Sequence, residues 1–259
     1  MFGIIDILRD NWLLLLIGQY PNGPLGGIAA TLILSVLGIL LAFPLSVLLA
    51  LARLSHWKAL RAPATVLVYV VRGVPLLMII LWVYFLLPLA IGREISGFNT
   101  MLCTLVLYEG AYLSEVVRAG IVSLPQGQGE AARALGHGWL GTMRHVILPQ
   151  ALYNMLPSML SLFVATIMDT TLGYVINVQE LTFAANQINN QLLTKPFQVF
   201  FILAMSYYVV CFSLTQLARW LERRIARKRR GAAVPAGQAS IAGQLEPLDS
   251  LPPSVATHA

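Results

Sequence analysis

The sequence predicts an all-α integral membrane protein with five transmembrane helices, and three observations predict it. Hydrophobic residues make up 58% of the 259 and charged residues only 11%, with a mean hydropathy of +0.75, a balance that excludes an ordinary soluble domain. Several apolar runs reach the roughly 20 residues that a helix needs to cross a ~30 Å hydrocarbon core. The basic residues lie in short blocks beside those runs, so the formal charge of +6 reads as a topology signal and not as a nucleic-acid footprint.

Taken in order, residues 26–52 form the first span, uncharged, with a kink expected at Pro44. Residues 63–91 form the second, interrupted only by Arg72, and residues 98–121 the third, which holds Glu109, Glu115 and Arg118. The fourth, residues 146–168, is uncharged apart from its basic approach and carries Pro149 at its start and Pro157 inside. Residues 197–218 form the fifth. Prolines are tolerated in such helices because neighbouring groups satisfy the freed backbone.

The ends differ from this core. In residues 1–25 the run from Trp12 to Gly18 is too short to span, Asp6 and Asp10 spoil a basic n-region, and no A-x-A site follows. An interfacial helix on the outer face is expected there. Residues 26–224 make the transmembrane domain. Residues 225–259 begin as a basic juxtamembrane stretch and continue, rich in Ala, Pro, Gly and Ser, as an expected disordered cytoplasmic tail.

Orientation follows from Lys and Arg. Arg53, Lys58 and Arg61 lie between spans one and two, Arg133 and Arg144 between three and four, and a run from Arg219 to Arg230 after five. The alternate connections hold Arg93 and Lys195. The N-terminus is therefore expected outside and the C-terminus in the cytoplasm. Cys103 and Cys211 sit in different apolar runs and the four histidines form no ligand pattern, so no metal site is expected.

One segment stands apart, EAARALGHGWLGTMRHVILPQ, residues 130–150. Pro125 precedes a helix-forming run that places Glu130 early in a short helix, where a carboxylate suits the dipole. Gly136 permits a turn. Trp139, Leu140, Met143 and Val146 then lead into the fourth span, with Arg144 and His145 facing headgroups or water. The spacing predicts a helix–turn–helix on the cytoplasmic membrane surface, and the small Ala131 and Ala132 would let another protein approach closely. An amphipathic connection resting on the bilayer explains the same pattern.

The order Glu130-Ala131-Ala132, three residues, Gly136, nine residues, Val146, one residue, Leu148-Pro149 resembles the EAA loop of permease subunits in bacterial ABC importers, with Val146 where Ile is commonest. VVRGVPLLMIILWVYF, YEGAYLSEVVRAGIVSLPQGQGEAA and MDTTLGYVINVQEL are similar to motifs of the polar amino-acid branch, nearest to glutamate/aspartate-type permeases. Met168 stands where Lys is frequent. The resemblance covers about residues 26–224. It implies a type I ABC importer permease fold with 130–136 as coupling helix, docking on an ATP-binding subunit dimer through Glu130, Ala131, Ala132, Gly136, Leu148 and Pro149. It further implies a second permease subunit, identical or homologous, and an extracytoplasmic amino-acid-binding protein, in a bacterial inner membrane. No G-x-x-x-x-G-K-[ST] occurs, and Lys58, Lys195 and Lys228 are the only lysines, none after Gly. The chain is thus expected to be no enzyme and to hold no cofactor, with ATP and Mg bound by the partner ATPase.

Ionisable groups inside spans cost about +2.5–3.5 kcal/mol each at the centre, so they face a bundle interior or cavity. Glu115 and Arg118 lie about 60° apart around one helix and can pair, with Arg72 in reach. These three read either as mutual neutralisation or as a cytoplasmic gate. Glu109, with Tyr108 and Tyr112 beside it, has no partner three or four residues away. It reads either as a helix-packing hydrogen bond or as the counter-charge of a permeant α-ammonium. Asp169, Thr170 and Thr171, at the outer end of span four, cap a following helix or, as the resemblance implies, form a site for a zwitterionic substrate. Asn154, Asn177 and Gln179 stay outside the candidate set.

Overall fold

The computed structural model describes residues 2–232, with side chains described for residues 3–224. The disordered tail expected beyond them lies outside the described residues. Helix α1 (Phe2–Ile17) is followed by α2 (Gly27–Leu54), α3 (Lys58–Gly73), α4 (Leu76–Ile91) and α5 (Gly97–Val122). Next come α6 (Gln126–Ala134), the short α7 (Trp139–Thr142), a π-helical turn (Met143–Ile147) and α8 (Leu148–Asp169). A 3-10 helix (Thr170–Ile176), α9 (Leu181–Leu192) and α10 (Pro196–Ala232) complete the described chain.

The frame is a close α2–α5 pair. On α2 every fourth residue from Ala30 through Leu34, Gly38, Ala42, Ser46 and Ala50 is buried, and all but Leu34 are small. Without a hydrophobic drive between helices in lipid, such a row lets two backbones approach and packing hold them. Leu34 meets Met101 and Leu105 at the start of α5, while Ala50 meets Leu113, Val117 and Ile121 near its end. The two helices therefore run parallel. Several buried hydroxyls on them bond back to their own helix, as Ser35 to the Thr31 carbonyl and Thr104 to that of Thr100, whereas the Thr100 hydroxyl has no partner among the described residues.

Parallel α2 and α5 require the chain between them to return through the membrane, and it does so as a broken span. Residues 63–91, expected as one helix, are two helices, α3 and α4, that meet at 109°. Gly73-Val74-Pro75 makes the break. Pro75 supplies no N–H and its ring pushes the preceding residue out of the helical region, and Val74 is extended at φ −107 and ψ 135. Val68 of α3 packs beside Leu49 of α2, whereas Ile80 of α4 packs beside Leu34, so the pair climbs the bundle. With α2, α5, the Trp139–Ile176 segment and Pro196–Arg224, the bent pair gives five spans.

At its α6 end α8 packs Ala151 and Met155 against Leu113, Val117 and Ile121, antiparallel to α5. The π turn before it answers Pro149, whose ring would clash with the carbonyl four residues back in a regular helix. The N-terminal helix α1 is packed into the bundle: Ile7 and Leu15 are buried with Leu181, Ile188, Val199 and Ile202 of α9 and α10. Glu180 caps α9, accepting from the Thr182 and Phe183 N–H groups at 2.8 and 2.9 Å and from the Tyr207 hydroxyl at 2.8 Å. Of the described residues, 2–218 form one compact unit and those from 219 on belong to a second, in which the Arg224 guanidinium lies 4.7 Å over the Trp220 ring.

Candidate functional site

Two polar clusters and one exposed loop stand out against the apolar bundle. The first cluster centres on Glu115. Its carboxylate accepts from Arg53 Nη1 at 2.5 Å and from Arg118 Nη2 at 2.5 Å, and Arg72 Nη1 lies 3.9 Å away. All three ion pairs found among the described residues thus share one carboxylate. Arg53, at the last turn of α2, was absent from the sequence-based set because it lies 62 residues from Glu115 and reads as a topology signal. Arg72 also sits 5.0 Å over the Tyr112 ring, and Tyr112 shares a hydrogen bond of 3.3 Å with Tyr108. Arg72, Tyr112 and Glu115 line a cavity of about 420 Å³ that continues past Ser123, Asn154 and Ser158. The structure therefore brings Tyr112 to the Glu115 cluster.

Glu109 forms the second cluster. Its side chain is 1% exposed, and neither carboxylate oxygen has a hydrogen bond of good geometry. The groups it faces are Thr166 and Asp169 of α8. Thr166 directs its hydroxyl to the Leu162 carbonyl and Thr170 directs its own to that of Ile167. Neither Asp169 nor Thr170 caps the following 3-10 helix, so the capping explanation is not realised. Two carboxyl groups from α5 and α8 are left facing each other, outside every ion pair of the described residues. Thr171 follows them on the half-buried side of the 3-10 helix.

The loop after α5 is built as α6, a turn and α7. Gly136, at φ +87, ends α6 in a left-handed conformation that favours glycine, and its N–H bonds the Arg133 carbonyl at 2.9 Å. Ala132 is buried and anchors α6 to the bundle, whereas Glu130 and Ala131 are exposed. Glu130 lines a groove of about 360 Å³ with His56, Arg133 and Trp139. Gln150 Nε2 donates to Gln128 Oε1 at 3.1 Å, tying the start of α8 to α6. Pro149 is exposed and Leu148 half-buried in that first turn of α8. Leu135 and Leu140 are 82% and 66% exposed on the loop, a pair of apolar side chains that sequence periodicity alone assigns to either side.

Five spans, with charged groups buried among them and a two-helix loop at one end of the bundle, fit a transport subunit of the membrane. The chain belongs to the family of binding-protein-dependent transport system inner membrane components, whose model matches residues 42–227. It is 35% identical over 203 residues to the inner membrane amino-acid ABC transporter permease protein YhdY of Escherichia coli, covering 77% of this chain and 55% of that protein. It is also 35% identical over 214 residues to the probable glutamine ABC transporter permease protein GlnP of Bacillus subtilis, covering 80% of this chain and 98% of that one. Among solved structures, a crystal structure of an amino acid ABC transporter with histidines matches with a TM-score of 0.74 at 29% identity, over 86% of this chain and 98% of that one. A bacterial alginate importer matches at 0.63 and 18% identity over 86% and 84%, a likeness of fold alone. The architecture is the type I importer permease fold.

Proposed function

We propose that this chain is the permease subunit of an ATP-driven, binding-protein-dependent importer of polar amino acids. One observation carries the choice of substrate: Glu109, 1% exposed, faces Asp169, and among the described residues neither is in an ion pair with a cation. A buried carboxylate without a counter-charge is costly, and the α-ammonium of an amino acid supplies that charge when it occupies the path. Asp169 and Thr171 share the site, with Thr170 packed beneath them. The amino-acid transporters among the relatives favour the same reading.

Coupling falls to the loop. Glu130, Ala131, Gly136 and the exposed Leu135 present a knob to an ABC ATP-binding subunit dimer, while Ala132, Leu148 and Pro149 transmit its displacement to α8. ATP and Mg belong to that partner, and this chain holds no cofactor and performs no covalent chemistry. A second permease subunit, identical or homologous, closes the path, and an extracytoplasmic binding protein delivers the amino acid. The N-terminus lies outside and the basic C-terminus in the cytoplasm. In that orientation the Arg53–Glu115–Arg118 cluster, with Arg72 at its edge, lies toward the inner mouth and acts as a gate.

Uptake by the reconstituted full assembly tests the substrate site. Replacing Glu109 by Gln removes a charged contact to the ammonium, worth about 1.5–3 kcal/mol, and uptake should fall roughly ten- to a hundredfold while the ATPase still co-purifies. Undiminished uptake by the Glu109→Gln assembly would remove Glu109 from the path. Uptake that persists without ATP would overturn the reading as a whole.

A further inference from the structure

A third polar feature lies at the α1 end of the bundle, beyond the acid pair. There the end of the 3-10 helix, the residues after it and α9 enclose a cleft of about 490 Å³, within the size range of small-molecule sites. Apart from the rings of Tyr174 and Phe183, which pack 6.3 Å apart, its wall is carboxamide throughout: Gln19, Asn177, Gln179, Asn186, Gln187 and Asn190 are among the lining residues, and no charged side chain is. Asn186 donates to the Thr182 carbonyl, but Gln187 and Asn190 make no hydrogen bond among the described residues. Amides with unused groups offer donors and acceptors together, with no net charge.

The 3-10 helix joins this cleft to the acid pair. With three residues per turn, side chains at i, i+3 and i+6 eclipse along one face. Thr170, Gly173 and Ile176 are buried and form the packed face. One residue on, Thr171 and Tyr174 run along the open face, and Asn177, the left-handed residue that ends the helix at φ 59, stands with Tyr174 in the cleft wall. A hydroxyl and a phenol thereby lead from beside Asp169 to an amide.

We infer that the amide cleft is an outer subsite for an amino acid with a carboxamide side chain, and that Thr171, Tyr174 and Asn177 hand it on toward Glu109 and Asp169. The inference rests on the importer reading above and deepens it. A carboxylate or ammonium side chain entering this wall gives up water and meets no counter-charge, whereas a carboxamide exchanges water for matched donors and acceptors. The α-ammonium and α-carboxylate of the same ligand are a neutral pair, which amides also serve.

The test uses the full assembly without binding protein, followed by amide hydrogen exchange over α9. Millimolar L-glutamine should slow exchange there, and L-glutamate or L-arginine at the same concentration should not. Gln187→Leu, at a half-buried position, and Asn190→Leu, at an exposed one, should raise the half-protecting glutamine concentration about tenfold. In uptake driven by glutamine-loaded binding protein, the same variants should raise the half-saturating concentration while binding-protein association stays as in the parent. No slowing by glutamine, or equal slowing by all three amino acids, would overturn the inference while ATP-driven uptake left the importer reading standing. Loss of binding-protein association in the variants, with glutamine protection unchanged, would overturn it in favour of a protein-docking surface. An assembly that imports no amino acid at all would remove the importer reading first.

Discussion

Neutralising Glu115 tests the charge cluster at the end of the bundle where α6 lies. Glu115→Gln leaves Arg53, Arg72 and Arg118 facing one another without an anion, and Arg53, 7% exposed, is the most enclosed of the three. Removing one partner of a fully buried pair costs about 3–5 kcal/mol, and of an exposed pair about 0–1 kcal/mol. Since Glu115 is 26% exposed, the loss should fall between, at about 2 kcal/mol. For a chain of this size that lowers the unfolding midpoint by roughly 4–8 °C. Arg53→Gln should cost less, because Glu115 keeps Arg118 at 2.5 Å. Thermal unfolding of the detergent-solubilised assembly, run on both single variants and the double, gives the coupling between Arg53 and Glu115. A coupling of about 1 kcal/mol or more is expected; losses that add within about 0.3 kcal/mol would mean that the short contact contributes no stability and that the gate argument has no energetic basis.

Two further predictions concern the α1 end. A Cβ on Gly97 would lie 2.5 Å from the Ile176 carbonyl oxygen, so Gly97→Ala should force the start of α5 from the 3-10 helix at a cost of about 1–3 kcal/mol; an unchanged unfolding midpoint would contradict the packing described. Burial pushes the Glu180 carboxyl, between the spans, from 4.5 up to about 6, against the opposing hydrogen bonds from Thr182, Tyr207 and Phe183. A carboxyl raised in the folded state binds its proton more tightly there, so its contribution, about 2 kcal/mol, is present at low pH and lost as pH rises from about 4.5 to about 6. The difference in midpoint between the parent and Glu180→Gln should follow that window; a difference independent of pH would place the ionisation elsewhere.

The existence of the spans and the loop was legible because each is written locally, although the second begins at Lys58, five residues before its expected start, and the fifth continues past its expected end at 218. Apolar length gave α2 and α5 to within two residues at every end, and Gly136 marked the turn through its left-handed backbone. The break in the second span was legible in principle, since Gly73-Val74-Pro75 carries its mechanism, but an unbroken apolar run conceals it from a length criterion. Arg53 was not legible. Its partner is brought to it by the parallel packing of α2 on α5, and its place among basic loop residues already had a sufficient explanation. The amides of α9 were illegible for a related reason: Asn186, Gln187 and Asn190 look like any polar connection until the 3-10 helix and α9 close around them. The sequence shows Glu109 unpartnered in its own helix, yet Asp169 becomes its neighbour only through the antiparallel packing of α8.

Coupling to an ATPase on another chain, proposed above for the exposed loop, is read by co-purification. The membrane-extracted protein should bring down an ABC ATP-binding subunit, and Glu130→Arg or Leu135→Arg should abolish that association while the permease remains folded. Both positions are exposed, so neither change disturbs the bundle. Co-purification of the ATPase in undiminished amount with both variants, or its absence from the parent in cells where the permease is functional, would contradict the account.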